Sequence, residues 1–70
     1  MDPVEHFAQN VRKERARLGL SQEALGDAAG LHRTEISLLE RAAREPRLTT
    51  IVRVARALKV EPAELLKGVR

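Results

Sequence analysis

Cysteine is absent from the 70 residues, so neither a disulfide framework nor a thiolate zinc site can stabilise the chain, and a well-packed apolar core must do so alone. Long apolar runs are absent too, and nothing approaches the ~20 residues needed to cross a bilayer. The opening residues, Met1-Asp2-Pro3-Val4-Glu5-His6, lack a basic segment followed by an apolar stretch. They do not read as a secretion signal, and the expected location is the cytoplasm. His6 and His32 are the only histidines, too few for a metal site. None of Gly19, Gly26, Gly30 and Gly68 falls in a phosphate-cradling loop, and no nucleophile stands in a recognisable motif. A core this small also leaves little concavity for a substrate. These absences exclude a multidomain enzyme and predict no catalysis, no metal and no cofactor.

The residues that are present describe one small soluble domain spanning residues 1–70. With 43% apolar and 33% charged residues, the chain is too hydrophobic for a disordered tail and too charged for a membrane span. Thirteen basic residues against ten acidic ones give a net charge of +3, and ten of the thirteen are arginine. The planar guanidinium fork suits phosphates and guanine edges. Many soluble domains carry a charge of this size without a polyanionic partner, so the distribution of the charge has to decide.

No strand-like alternation, internal repeat or low-complexity linker interrupts a helical pattern. Phe7, Val11 and Leu18 share one stripe of a first helix over about 3–18, opened by Asp2-Pro3 and ended by Gly19. Ser21-Gln22-Glu23-Ala24 begins a short second helix with a cap candidate and an acidic first turn; Leu25, Ala28 and Ala29 lead it to Gly30. Helical periodicity resumes almost at once, with Ile36 and Leu39 as an apolar pair before Pro46. Two short helices joined by so tight a glycine-containing turn cannot lie antiparallel and form a helix-turn-helix over about 21–41. A fourth helix over about 48–58 puts Leu48, Ile51, Val52, Ala55 and Leu58 on one face. A fifth, over about 62–67, carries Ala63, Leu65 and Leu66. The fold class is all-α, with five short helices around one core.

The third helix has two separate faces. Ile36, Leu39 and Glu40 point inward, whereas Thr34, Ser37, Leu38 and Arg41 form an outward stripe, with Arg33 reaching forward from the helix start. Hydroxyls, a guanidinium and an apolar tip suit the base edges of a DNA major groove; an ordinary solvated helix face is the plainer alternative. A carboxylate turned toward a core needs a partner. Arg15, at the edge of the first helix's apolar stripe, is the candidate for Glu40, unless Glu40 bends out to water. Arg41, Arg44, Arg47, Arg53 and Arg56 face only Glu45 between positions 41 and 56. That concentration of charge suits phosphates flanking a groove, or it solvates a surface, as expected for Arg56.

The order and spacing of Leu18-Gly19-Leu20-Ser21-Gln22-Glu23-Ala24-Leu25, Gly30-Leu31-His32-Arg33-Thr34-Glu35-Ile36-Ser37, Leu39-Glu40-Arg41, Pro46-Arg47-Leu48, Ala55-Arg56-Ala57-Leu58 and Leu65-Leu66 resemble the Cro and phage-repressor (XRE) family of helix-turn-helix regulators. The resemblance covers about four fifths of the chain and implies a compact lambda-repressor-like domain that binds double-stranded DNA. It implies phosphate contacts from Ser21 and Gln22, and base contacts from Arg33, Thr34, Ser37 and Leu38. Arg41, Arg44 and Arg47 then look like backbone contacts, and an Arg15–Glu40 pair is implied as well. Three departures stand out. His32 replaces a capping serine, and the helix dipole disfavours its charged form. Gly26 replaces an alanine. Ala42-Ala43 replaces a glycine of positive φ, so the loop after Arg41 is expected to take a different path, which weakens the expectation for Arg44. Glu35 lies near the DNA face, to accept from a cytosine amine or to repel other sites.

One such unit reads only a few base pairs, so a homodimer on a pseudo-palindromic operator is expected, with half-sites ~34 Å apart. Val60, Leu65, Leu66 and Val69 are candidates for its interface, although Leu65 and Leu66 also suit closure of the monomer core. No small-molecule ligand is expected, which leaves control to protein concentration and dimerisation. A phage-type repressor, a restriction–modification controller and a DNA-binding antitoxin all fit the pattern. A protein-interaction module that keeps the fold without reading DNA would have a neutral or acidic third helix, which Arg33, Arg41 and Arg47 oppose.

Overall fold

Asp2 opens the first helix through a reciprocal cap. Its carboxylate accepts from the Glu5 backbone N–H at 2.9 Å, and the Glu5 carboxylate accepts from the Asp2 N–H at 3.2 Å. That pairing satisfies two donors a helix start would otherwise orphan, and the Glu5 N–H holds the Asp2 carboxyl below its ordinary value. Pro3 occupies the first helical position. The computed structural model describes residues 1–70 and contains five helices: α1 Pro3–Leu18, α2 Gln22–Ala29, α3 Arg33–Glu40, α4 Leu48–Ala57 and α5 Pro62–Leu65. Ser21 caps α2 by accepting from Ala24 N–H at 3.0 Å, and His32 caps α3 by accepting from Thr34 N–H through Nδ1. A histidine thus does the capping work for which a serine was the expected residue.

Every helix contributes to one core. Phe7 and Val11 come from α1, Leu25 from α2, Ile36 and Leu39 from α3, Val54 and Ala55 from α4, Leu58 from just beyond it, and Leu65 from α5. The α4 face differs from the expected one. Its buried stripe centres on Val54, Ala55 and Leu58, while Leu48 is 74% exposed because the first residue of α4 projects past the end of the core. Ala28 and Ala63 are exposed as well. The last helix stops at Leu65, short of the expected 67, and Asn10 Nδ2 donates to the carbonyl oxygens of Leu65 and Lys67 at 2.9 and 3.0 Å. Those bonds tie the C-terminal turn to α1.

The path after α3 also departs from expectation. Ala42 adopts φ 56°, inside the left-handed region. Its N–H reaches the Leu39 carbonyl at 3.1 Å, and the Ala43 N–H reaches that of Leu38 at 2.9 Å. This paired closure is the one glycine commonly provides. The chain therefore keeps the glycine-type turn with an alanine, because two otherwise orphaned carbonyls outweigh a left-handed cost of about 1 kcal/mol. Ala42→Gly is accordingly expected to stabilise the domain by about 1 kcal/mol and to raise its thermal midpoint by roughly 4–8 °C. Circular-dichroism melting checks this, and an unchanged midpoint would show the turn to be unstrained.

Candidate nucleic-acid interface

Only Gly30-Leu31-His32 separates α2 from α3. The turn is held by Leu31 N–H donating to the Gly26 carbonyl at 2.8 Å, and it lies so near α2 that a Cβ at Gly26 would sit 2.6 Å from the Leu31 carbonyl oxygen. Glycine at this position is thus a packing requirement of this particular turn. Leu25, Ile36 and Leu39 then fix the inner faces of both helices in the core.

On the opposite side of α3, Arg33, Thr34 and Arg41 are exposed, and Ser37 and Leu38 are half-buried. Ile36 and Leu39 are fully buried and Glu40 is 3% exposed, which matches the two faces read from the spacing. Glu40 does not bend out to water. Arg15 grips it with two bonds, Nε to Oε2 at 2.6 Å and Nη2 to Oε1 at 2.9 Å. Its Nη1 donates to the Leu20 carbonyl at 2.9 Å. The hydrogen bond to the Glu40 carboxylate raises the Arg15 pKa above its ordinary value. Gln22 joins the same carboxylate, Nε2 donating to Oε1 at 3.0 Å, and Arg12 Nη1 donates to the Glu40 carbonyl. The Gln22 side chain, expected at a phosphate, is thus anchored inside the protein, with its second amide hydrogen left over.

The arginine cluster after α3 is exposed throughout. Arg41 Nε reaches back to the Ser37 carbonyl at 3.4 Å. Arg44 is engaged by Glu35 at 2.6 Å, a pairing that places both away from the free roles expected of them. Arg33, Arg41, Arg47, Arg53 and Arg56 have no carboxylate partner. Arg47 and Arg53 line a groove with Thr49, Thr50 and Leu31, and the Glu35–Arg44 pair belongs to its wall. Sequence reasoning missed this pair and the Gln22–Glu40 bond because no local periodicity links residues on different elements.

The four candidates for an interface between copies separate. Leu65 is fully buried and belongs to the monomer core, since α5 needs its side chain to seal the bundle. Leu66 is 40% exposed, whereas Val60 and Val69 are half-buried. Leu66 and Val69 line an apolar groove with Val4, Phe7, Pro46 and Ile51, a surface the sequence pattern did not reveal. No helix is long and apolar enough to cross a membrane.

Comparison with known proteins agrees with this geometry. The model of a helix-turn-helix family matches residues 11–65, from the middle of α1 to the end of α5. The chain belongs to this family. Control protein C.SmaI of Serratia marcescens is 44% identical over 66 residues, covering 94% of this chain and 79% of that protein. Among solved structures, the restriction-modification controller protein C.AhdI from Aeromonas hydrophila superposes with a TM-score of 0.86 at 40% identity, covering 89% of this chain and 94% of that one. The P22 c2 repressor in complex with a synthetic operator gives 0.81 at 34% identity, again over 89% of this chain and 94% of that chain. This helix-turn-helix chain is a DNA-binding transcriptional regulator of the repressor and controller type.

Two substitutions test the scaffold of the interface. Arg15→Ala leaves the Glu40 carboxylate buried without its charged partner and is expected to destabilise the domain by about 3 kcal/mol or more in urea unfolding. Gly26→Ala improves helix propensity by about 1 kcal/mol, yet the Leu31 carbonyl must give way, so a lower midpoint of unfolding is expected. A higher midpoint would mean that the turn moves aside freely.

Proposed function

We propose that the protein acts in the cytoplasm as a homodimer on a pseudo-palindromic operator, placing α3 of each copy in successive turns of the major groove. Arg33, Thr34, Ser37 and Leu38 read base edges: the guanidinium is matched to guanine, the hydroxyls donate or accept, and Leu38 contacts a thymine methyl. Ser21 and Gln22 at the start of α2 hold one backbone strand, and Arg41, Arg44 and Arg47 the other. The observation that carries this reading is the outward face of α3, free of protein partners and set beside an arginine cluster while Glu40 anchors its back.

The reading draws support from the P22 c2 repressor, whose matching structure holds a synthetic operator. Similarity to C.SmaI and to the controller C.AhdI supports a controller-type regulator. A second copy would meet the first through Val60, Leu66 and Val69, with Leu65 excluded by its burial. Pairing doubles the length of DNA read, which one short recognition helix cannot supply alone. Without a small-molecule ligand, occupancy follows protein concentration through the dimerisation equilibrium.

Sedimentation with a duplex taken from just upstream of the gene, at two salt concentrations, tests the proposal. The expected result is two protomers per duplex that resist competition by random DNA, with Arg33→Ala weakening that complex by roughly 1–3 kcal/mol. Weak binding to any duplex that vanishes at ~200 mM salt would defeat it and favour a protein-interaction module.

A further inference from the structure

Five arginines lie exposed between positions 41 and 56, and just one, Arg44, has a carboxylate partner. That partner is not Glu45, its neighbour in sequence, which forms no ion pair. It is Glu35, in the first turn of α3, whose Oε1 accepts from Arg44 Nη1 at 2.6 Å. The Glu35 side chain is 27% exposed and that of Arg44 53%, so both groups remain within reach of a molecule docking on this face. Of the two acids on α3, Glu40 is buried against Arg15, whereas Glu35 is accessible and neutralises one of the cations beside the helix.

The two members of this pair have opposite preferences toward DNA. A guanidinium is drawn to any phosphate, whatever the sequence, whereas an ionised carboxylate only accepts hydrogen bonds. In a major groove it is attracted to the N4 amine of cytosine and repelled by the acceptor edges of guanine and thymine. An exposed ion pair is worth no more than a modest free energy, so it opens when Glu35 gains a better partner. Without one, opening it strands a carboxylate near the phosphates.

We propose that Glu35 is a specificity-determining residue that locks Arg44: on random DNA the Glu35–Arg44 pair stays closed and Arg44 adds no affinity, whereas at a site presenting a cytosine amine the carboxylate changes partner and releases Arg44 to a phosphate. This rests on the DNA-binding reading above. Two contacts of different kinds are thereby coupled, and a sequence-blind arginine contributes only where the base is right.

Fluorescence anisotropy against a random-sequence duplex over a range of salt concentrations provides the test. Glu35→Gln is expected to bind about three- to fivefold tighter than the unaltered chain, with a salt slope steeper by about 0.9, the release of one phosphate counterion. Glu35→Gln with Arg44→Gln should lose the gain. Site selection from a pool of random duplexes should show the unaltered chain requiring a cytosine that Glu35→Gln no longer requires. The inference fails if the gain persists in the double variant, since removal of a negative charge then explains it. It also fails if both chains select the same sites. Absence of any duplex binding by the unaltered chain would overturn the regulator reading and this inference together, an outcome distinct from all of these.

Discussion

A single buried carboxylate holds α3 of this protein in place. Glu40, at the last turn of α3 and 3% exposed, would be strongly destabilising on its own, because removing an ion from water costs several kcal/mol unless charge and hydrogen bonds replace the solvent. Arg15 of α1 supplies the charge in a two-bond fork, Gln22 of α2 a third bond, and no buried side-chain nitrogen or oxygen is left without a partner. Three helices meet at one group. Their relative angles cannot change without breaking it, so the outward face of α3 is presented in one orientation. Directional bonds do here what apolar contacts cannot, since Ile36 and Leu39 bury their area almost equally well after a small rotation.

The helix ends show how a chain without cysteine or metal limits its conformational freedom. α1 and α2 close with glycines in the left-handed region, at φ 68° and 71°. After α3 and α4 the same closure is made by Ala42 and Lys59, at φ 56° and 60°. The turn geometry is therefore imposed from outside those residues. Core contacts by Leu39 on one side and Leu58 on the other fix where the chain must go, and the alanine and lysine accept the strain. For the stretch after α3 this has a direct consequence: the tight closure brings Arg44 back within reach of Glu35, so a backbone constraint sets the local electrostatics of the surface beside α3.

Charge on this surface is divided by role. Arg15 is paired at the back of the recognition helix and stabilises the fold, and Arg44 is paired at its flank. Arg33, Arg41, Arg47 and Arg53 are unpaired and supply a positive field toward whatever approaches α3. Net charge alone would have counted all of these equally, although only the unpaired ones act freely on a polyanion. The apolar groove between Val4, Pro46, Ile51, Leu66 and Val69 is lined by no arginine.

The sequence by itself determined the helices, the tight turn and the two faces of α3, because those follow from spacing within a few residues: Ile36 with Leu39 inward, Thr34 with Ser37 and Leu38 outward. It also marked Glu40 as an acid facing the core and Arg15 as a candidate partner, while the choice between that pairing and an outward bend to water fell to the tertiary structure. Exposure of Leu48, burial of Leu65 and the closure at Ala42 were decided by tertiary structure, for each depends on where the core ends and not on local periodicity. The same holds for Gln22 on Glu40 and Arg44 on Glu35, bonded across 18 and 9 residues. Helical pattern tells which way a side chain leaves its own helix, but which group it meets is set by how neighbouring helices cross, and that is settled only when the whole core packs.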